Sequence, residues 1–270
     1  FCTSWASTPA ETSGTTSWRR SPVFLLGTDE PAWLRRTTVP LFISRRRLER
    51  LRTMPEAVGP WVLDSGGFTE LHQFGEWRLG ATEYAKRVRR YADEIGGMLW
   101  AAPQDWMCEP SALAMSGRTV AEHQRLTVDN FVRLRSILGP LLVPVLQGWR
   151  RDDYLRCVDL YDRAGVDLDQ EATVGLGSVC RRNADGDIGA IIAALQPLSL
   201  HAFGVKGDAY VANVDRLKSA DSMAWSLTAR HSAPLRGHTH RRCHHCLEYA
   251  LRWRSRLLER AARPRLFVMP

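Results

Sequence analysis

The sequence predicts an α/β protein built as a single (β/α)8 (TIM) barrel, and three observations carry that expectation. Eight short apolar runs, beginning near residues 23, 41, 61, 98, 141, 172, 200 and 219, have the length and the β-forming content of strands. Most are separated by stretches of helical periodicity, and strands that alternate with helices imply parallel βαβ units. The chain of 270 residues matches the about 250 that such a barrel takes, and neither a repeat nor a linker marks a second domain. The barrel is expected over residues 23–270. Residues 1–22 are Ser/Thr-rich with no long apolar core, which predicts a disordered tail rather than a secretory leader.

Taken in order, the runs at 23–26 and 41–44 are each followed by a polar stretch with room for a short helix, at 30–36 and 45–54. The second of these carries Arg45, Arg46 and Arg47, a dense positive surface that reads equally as a solvated helix face or a phosphate-binding one. Trp61-Val62-Leu63 reads as a buried strand and ends in Asp64-Ser65-Gly66-Gly67. A carboxylate at a strand end, followed by glycines that let a ligand approach the backbone, suits a site, although a β-turn favours the same residue types. Residues 81–95 have apolar side chains at 84, 85, 88, 91, 92 and 95, a helical period.

The strand at 98–102 runs into Pro103-Gln104-Asp105-Trp106, and residues 119–138 form a long helix. The strand at 141–146 ends at Gln147-Gly148, and a helix over 152–164 has Asp152 or Asp153 to cap it. Residues 172–176 lead into Gly177-Ser178, a helix covers 187–195, and the run at 200–205 leads into Lys206-Gly207. A short helix at 212–217, a last strand at 219–225 and an amphipathic helix at 249–262 complete the chain.

In a barrel the C-terminal strand ends converge on one face. Asp64, Asp105, Gln147, Gly175, Gly177, Lys206 and Asp221 therefore share a rim. Carboxylates serve as nucleophile and as general acid or base. A carboxylate, a carboxamide and free backbone N–H groups together read the edge of a heterocyclic base. Each residue also has an ordinary role as cap, buried amide or turn; their coincidence on one rim is what points to a site.

A second constellation lies at 237–246, GHTHRRCHHC. A CxxC pair, Cys243 and Cys246, with His238 and His240 upstream supplies four N and S ligands. That is a closed tetrahedron for Zn2+, hence a structural rather than catalytic metal. The other cysteines are scattered without a framework, so a reducing, cytoplasmic compartment is expected. No apolar run approaches the roughly 20 residues of a membrane span. A net charge of +8 and a pI near 9.5 favour a polyanionic partner such as nucleic acid. The surfaces expected to meet it are Arg45–Arg47 and the set Arg241, Arg242, Arg252 and Arg254.

DSGGF (64–68), PQDWMCEP (103–110), VLQG (145–148), VGLGSV (174–179), FGVK (203–206), SADSMAWS (219–226) and the closing CxxC resemble the tRNA-guanine transglycosylase superfamily. The set is most similar to its compact branch, the DpdA-type enzymes that place 7-deazaguanines in DNA. The resemblance implies that Asp221 is the nucleophile that attacks C1′ and holds the sugar covalently, and that Asp64 is the general acid/base. It implies that Asp105, Gln147 and Gly177 hydrogen-bond the base, flanked by Ser65, Gly66 and Phe68. Gly175 and Lys206 join this base-binding set, and Trp106, with Trp225, is available as an aromatic wall.

The expected activity is exchange of guanine in DNA for a free 7-deazaguanine such as 7-cyano-7-deazaguanine (preQ0). The alternatives are the same exchange on tRNA and a non-catalytic nucleic-acid-binding partner subunit. Retention with exchange at an anomeric carbon needs two displacements, which suits one nucleophilic and one proton-handling carboxylate. The tRNA enzymes have three Cys and a later His at zinc; no His follows Cys246 here, so His238 or His240 must serve. The tRNA enzymes also imply that a homodimer is possible.

Overall fold

The computed structural model describes residues 22–180, 182 and 187–263. All but Pro22 of the expected disordered tail lies outside them, as does Cys2. Eight strands make one parallel sheet: β1 (Val23–Thr28), β2 (Leu41–Ser44), β3 (Trp61–Asp64), β4 (Met98–Ala101), β5 (Val145–Leu146), β6 (Val174–Leu176), β7 (Leu200–Ala202) and β8 (Ser219–Ser222). Their order is β4-β3-β2-β1-β8-β7-β6-β5, so the first strand pairs with the last and the sheet curls upon itself. Between β4 and β5 the contact is thin. One isolated parallel bridge joins Ala101 to Leu142, and the Val143 N–H donates to the Ala101 carbonyl at 3.2 Å. The expected barrel is thus seen as a curled eight-stranded sheet in barrel order with one narrow seam.

The helices are α1 (Arg45–Leu48), α2 (Gly67–Phe74), α3 (Ala81–Ile95), α4 (Pro110–Ser116), α5 (Val120–Leu138), α6 (Arg151–Arg163), α7 (Asp187–Ala194), α8 (Gly207–Asn213), α9 (Ala224–His231) and α10 (Leu247–Ala262). α3 and α5 fall where their periodicity places them. α5 begins with a reciprocal capping box between Thr119 and Glu122. α6 begins one residue before expectation; Arg150 holds the cap position, and Asp153 accepts the N–H groups of Trp149 at 2.9 Å and Arg150 at 2.6 Å.

Strand alternation divides the apolar residues into two cores. Leu26, Ile43, Leu63, Leu146, Leu176, Ala202 and Ala220 belong to the large cluster that contains Tyr84, Phe131 and Tyr154 of the helices. Leu25, Val62, Trp100, Ala102 and Val143 form a separate small cluster inside the curl, against Phe42 and Phe203. Two residues beyond Leu25, Phe42, Val62, Val145, Gly175 and Ser219, the same period delivers Gly27, Ser44, Asp64, Gln147, Gly177 and Asp221, all of which line one cavity.

Several expectations are corrected. The last strand stops at Ser222, and residues from Ala224 form α9, so Trp225 belongs to a helix and not to a strand end. The helix expected over 45–54 is a single turn, and that at 30–36 is a 3-10 turn, Pro31–Arg35. The helix expected at 212–217 starts earlier, at Gly207, and closes with a 3-10 turn, Val214–Arg216. α2 and α4 were not expected; they are short and open after Gly66 and Glu109 with no side-chain cap.

Candidate functional site

The C-terminal ends of the strands surround a cavity of about 410 Å³, within the range typical of small-molecule sites. Its polar lining includes Ser44, Asp64, Ser65, Asp105, Gln147, Gly177 and Asp221, and its apolar walls include Phe42, Phe68, Phe203, Met107 and Met223. Three carboxylates in one small, largely apolar space repel one another and lose hydration, and each is held differently.

Asp64 ends β3 and is paired in register with Ser44. Burial raises its carboxyl above the ordinary range and outweighs the hydrogen bonds from the Ser44 hydroxyl and the Gly66 N–H. The charge of Asp221 adds to the rise and that of Arg45 opposes it. Asp105 follows β4 and is also raised, to about 6, chiefly by burial with a contribution from Asp64. Gln147 Nε2 donates to its Oδ2, and the Ser65 hydroxyl donates to its Oδ1 at 3.3 Å. The Ser178 hydroxyl donates to Gln147 Oε1 at 2.7 Å and accepts the Cys108 N–H at 2.8 Å. The amide orientation of Gln147 is therefore fixed from both sides, with its N–H end toward Asp105.

Two backbone positions show why the sequence has this form. A Cβ on Gly177 would sit 2.3 Å from Gln147 Nε2, so only glycine lets that amide lie flat against β6. Gly66 has φ +80°, the left-handed region that turns the chain from β3 into α2. Asp221, on β8, receives the Gly204 N–H on Oδ1 at 2.9 Å, and His201 Nε2 stands 3.3 Å from the same oxygen.

Of the residues expected at the base, Ser65, Phe68, Asp105, Gln147 and Gly177 line the cavity together with Asp64 and Asp221. Gly66, Trp106, Gly175 and Lys206 are not in its lining. Trp106 packs in a separate cluster with Leu71, Met107 and Ala112, under the Arg118 guanidinium. Gly175 lies deeper, where a Cβ would strike Phe203 and Val145. Lys206 is exposed at the start of α8. Trp225 is fully buried against Trp33, its indole N–H donating to the Gly27 carbonyl at 2.7 Å, so the aromatic walls are phenylalanines instead. Ser44, Ser178, His201 and Gly204 were missed. For Ser44 and His201 the strand alternation was the available signal; for Ser178 it was adjacency to Gly177.

The arginine surface is also redrawn. Arg45 is buried: its Nε–H donates to the Ser65 carbonyl at 2.8 Å, and its guanidinium pairs with Glu70 at 2.8 Å and with Glu49. Arg46 pairs with Glu70 and Arg47 with Asp29, each at 2.9 Å. Arg45 and Arg46 thus brace the segment after β3, and Arg47 ties α1 to the chain just beyond β1. Arg254 is half-buried and donates twice to the Phe24 carbonyl, near the start of β1 and so at the end of the sheet away from the cavity. Arg252 pairs with Glu248. Arg241 and Arg242 are exposed, with Arg242 also donating to the Arg230 carbonyl.

His238, His240, Cys243 and Cys246 bring one ligand atom each within 4.8 Å of one another. His238 Nδ1 is 3.2 Å from His240 Nε2, 3.9 Å from Cys243 Sγ and 3.6 Å from Cys246 Sγ, and His240 Nε2 is 3.0 Å from Cys243 Sγ. An ion at about 2.0–2.1 Å from nitrogen and 2.3 Å from sulfur holds tetrahedral ligands about 3.3–3.8 Å apart, so the donor set fits one metal. His238 Nε2 faces Glu248 at 3.0 Å, the carboxylate contact that orients a metal-binding imidazole. His245, inside the same loop, meets Glu30 at 2.8 Å, which ties the loop to the chain just beyond β1 and hence to the cavity rim.

Comparison with known proteins adds a family. A family model described as DpdA, DeoxyPurine in DNA protein A, matches residues 21–267. No curated protein matches the chain. Among solved structures, one of oxaloacetate acetylhydrolase in complex with oxalate is similar at TM-score 0.46 and 13% identity over 89% of each chain. A likeness that low bears on neither fold nor function.

Proposed function

Since the chain belongs to the DpdA family, whose members are transglycosylase-like enzymes of deazapurine modification in DNA, we propose that it exchanges guanine in DNA for a free 7-deazaguanine such as preQ0. One observation carries the reading: Asp64 and Asp221 share a cavity with a fixed hydrogen-bonding pair, Asp105 and Gln147, packed against Gly177. Asp221, oriented by the Gly204 N–H, is the nucleophile toward C1′. Its attack breaks the glycosidic bond, and the bonding electrons leave with the guanine nitrogen. Asp64, whose carboxyl burial holds above its ordinary range, is the proton donor to that leaving base and the acceptor from the incoming one.

Ionised Asp105 accepts N–H groups of the guanine edge; the Gly177 N–H is engaged by the Leu146 carbonyl, so Gly177 has only the second lone pair of its carbonyl, beside the Tyr154 hydroxyl, to offer. Phe42, Phe68 and Phe203 offer ring faces to a base drawn out of the stack. Zn2+ at His238, His240, Cys243 and Cys246 is structural, because four protein ligands leave no open position. DNA enters across the rim beside Arg241 and Arg242.

The test is incorporation of labelled 7-cyano-7-deazaguanine into duplex DNA and into tRNA, with Asp221→Ala as control. Label in DNA, a covalent enzyme–DNA adduct, and loss of both in the variant are expected. Label only in tRNA overturns the substrate, and an adduct that survives Asp221→Ala overturns the nucleophile.

A further inference from the structure

His201 stands behind the cavity, on β7, and is fully buried. Phe42 stacks on its ring at 5.8 Å between centroids, and Trp100 and Phe203 meet it edge-on at 4.8 and 4.7 Å. Its Nδ1 lies 2.9 Å from the Ser219 hydroxyl, whereas Nε2 has no aligned hydrogen-bond partner and stands 3.3 Å from Asp221 Oδ1. A buried imidazole nitrogen left without an aligned partner is costly. The arrangement selects a tautomer. A neutral ring protonated on Nδ1 would aim the Nε2 lone pair at a carboxylate, while one protonated on Nε2 accepts from Ser219 and offers its N–H to Asp221.

We propose that His201 is a positioning residue for Asp221. Its Nε2–H, 3.3 Å from Oδ1 and brought into line by a small turn of the ring, joins the Gly204 N–H as a two-donor cradle for Oδ1, which leaves Oδ2 as the atom that bonds to C1′. The inference rests on Asp221 being the nucleophile. In the first displacement Oδ2 forms its bond to C1′ as the bond to guanine breaks, and Oδ1 becomes the ester carbonyl oxygen. In the second, the incoming base nitrogen attacks C1′, the C1′–Oδ2 bond breaks, and its electron pair returns to the carboxylate. The cradle acts mainly here, because the returning charge falls on a buried carboxylate that shares its cavity with Asp64. Without the Nε2–H donor the carboxylate is a poorer leaving group, so the second displacement slows more than the first.

The test compares His201→Phe, which fills the ring space without a donor, with His201→Gln, whose Nε2 can take the donor's place. The purified full chain is mixed with guanine-containing oligodeoxynucleotide and saturating 7-cyano-7-deazaguanine. Exchange rate and the steady-state fraction of covalent adduct are read together, with thermal melting as a check on folding. In His201→Phe the exchange rate should fall on the order of 10²-fold, as for loss of one oxyanion donor, while the adduct fraction rises; His201→Gln should restore both in large part. A slower His201→Phe whose adduct fraction is unchanged or lower overturns the cradle, as does a Gln variant that behaves like Phe. An adduct that does not require Asp221 overturns the nucleophile and the cradle with it. Long-range ¹H–¹⁵N correlation of the imidazole in the free protein is independent of catalysis: Nε2–H is expected, and a neutral Nδ1–H ring overturns the proposal even if exchange proceeds through Asp221.

Discussion

Replacing Asp105 by Asn should stabilise the protein while disabling it. Asp105 titrates at about 6 in the fold against an ordinary value of 3.8, so its carboxyl resists ionisation in the cavity. The sign follows from linkage. A carboxyl whose folded pKa is raised adds no penalty below the unfolded value, where both states are protonated. The penalty grows as the unfolded chain ionises first and is complete once pH passes the folded value near 6. That difference corresponds to about 3 kcal/mol of stability forgone at neutral pH.

Asn keeps the shape, can accept from Gln147 and can donate to Ser65, but it carries no charge to desolvate. Urea unfolding at a series of pH values reads the effect. Wild type and Asp105→Asn should coincide near pH 3.5, separate as pH rises, and differ by up to about 3 kcal/mol above pH 6.5. On heating at neutral pH the variant should melt about 6–10 °C higher. A variant that is less stable at neutral pH, with a curve parallel to wild type, would refute the reasoning, because the carboxylate would then be satisfied by its hydrogen bonds. Exchange activity should meanwhile fall sharply, since the amide cannot accept both N–H groups of a guanine edge. In wild type, base affinity should weaken as pH drops through about 6.

Three further outcomes are expected. Arg45→Ala should destabilise by about 3–5 kcal/mol, the range for breaking one side of a buried ion pair, because Glu70 is left buried without its deeper partner; chemical denaturation measures it, and a loss below about 1 kcal/mol would show the pair to be solvated. Cys243→Ser, or exhaustive chelation, should release about one zinc per chain by elemental analysis and lower the melting temperature; unchanged melting after proven metal loss would contradict a structural ion. Arg241→Ala with Arg242→Ala should reduce the slope of log affinity for DNA against log salt by about 2, and an unchanged slope would place the phosphates elsewhere.

The inward residues at the strand ends were legible because period-2 alternation is strict and because polar side chains at the ends of apolar runs stand out. Asp64, Gln147, Gly177 and Asp221 were all visible on that ground. The same logic was not applied to Ser44, which ends β2 level with Asp64, nor carried back along β7 to His201, whose apolar neighbours mask it. Arg45 was misjudged because three consecutive arginines look alike in one dimension, while the turn of α1 buries only the first, against Glu70 and the Ser65 carbonyl, and leaves Arg46 to reach Glu70 from a partly exposed position. Trp106 lies between two residues that line the cavity, Asp105 and Met107, but its side chain packs the other way, and the chain enters α8 before Lys206 can line it. α9 was hidden because Ser219 to Trp225 has the composition of one continuous strand, and nothing local announces the turn at Met223. The segments beyond 263, and 183–186, lie outside the described residues.

The thin join between β4 and β5 has a consequence for how the molecule breathes. Asp105 follows one lip of that opening and Gln147 the other, and the bond between their side chains laces the lips together at the top. Ser65 and Ser178 extend the lacing to the neighbouring strands on either side. The groups proposed to hold the base are therefore also the clasp of the sheet. Breaking the Asp105–Gln147 bond should therefore loosen the seam between β4 and β5 before the rest of the sheet.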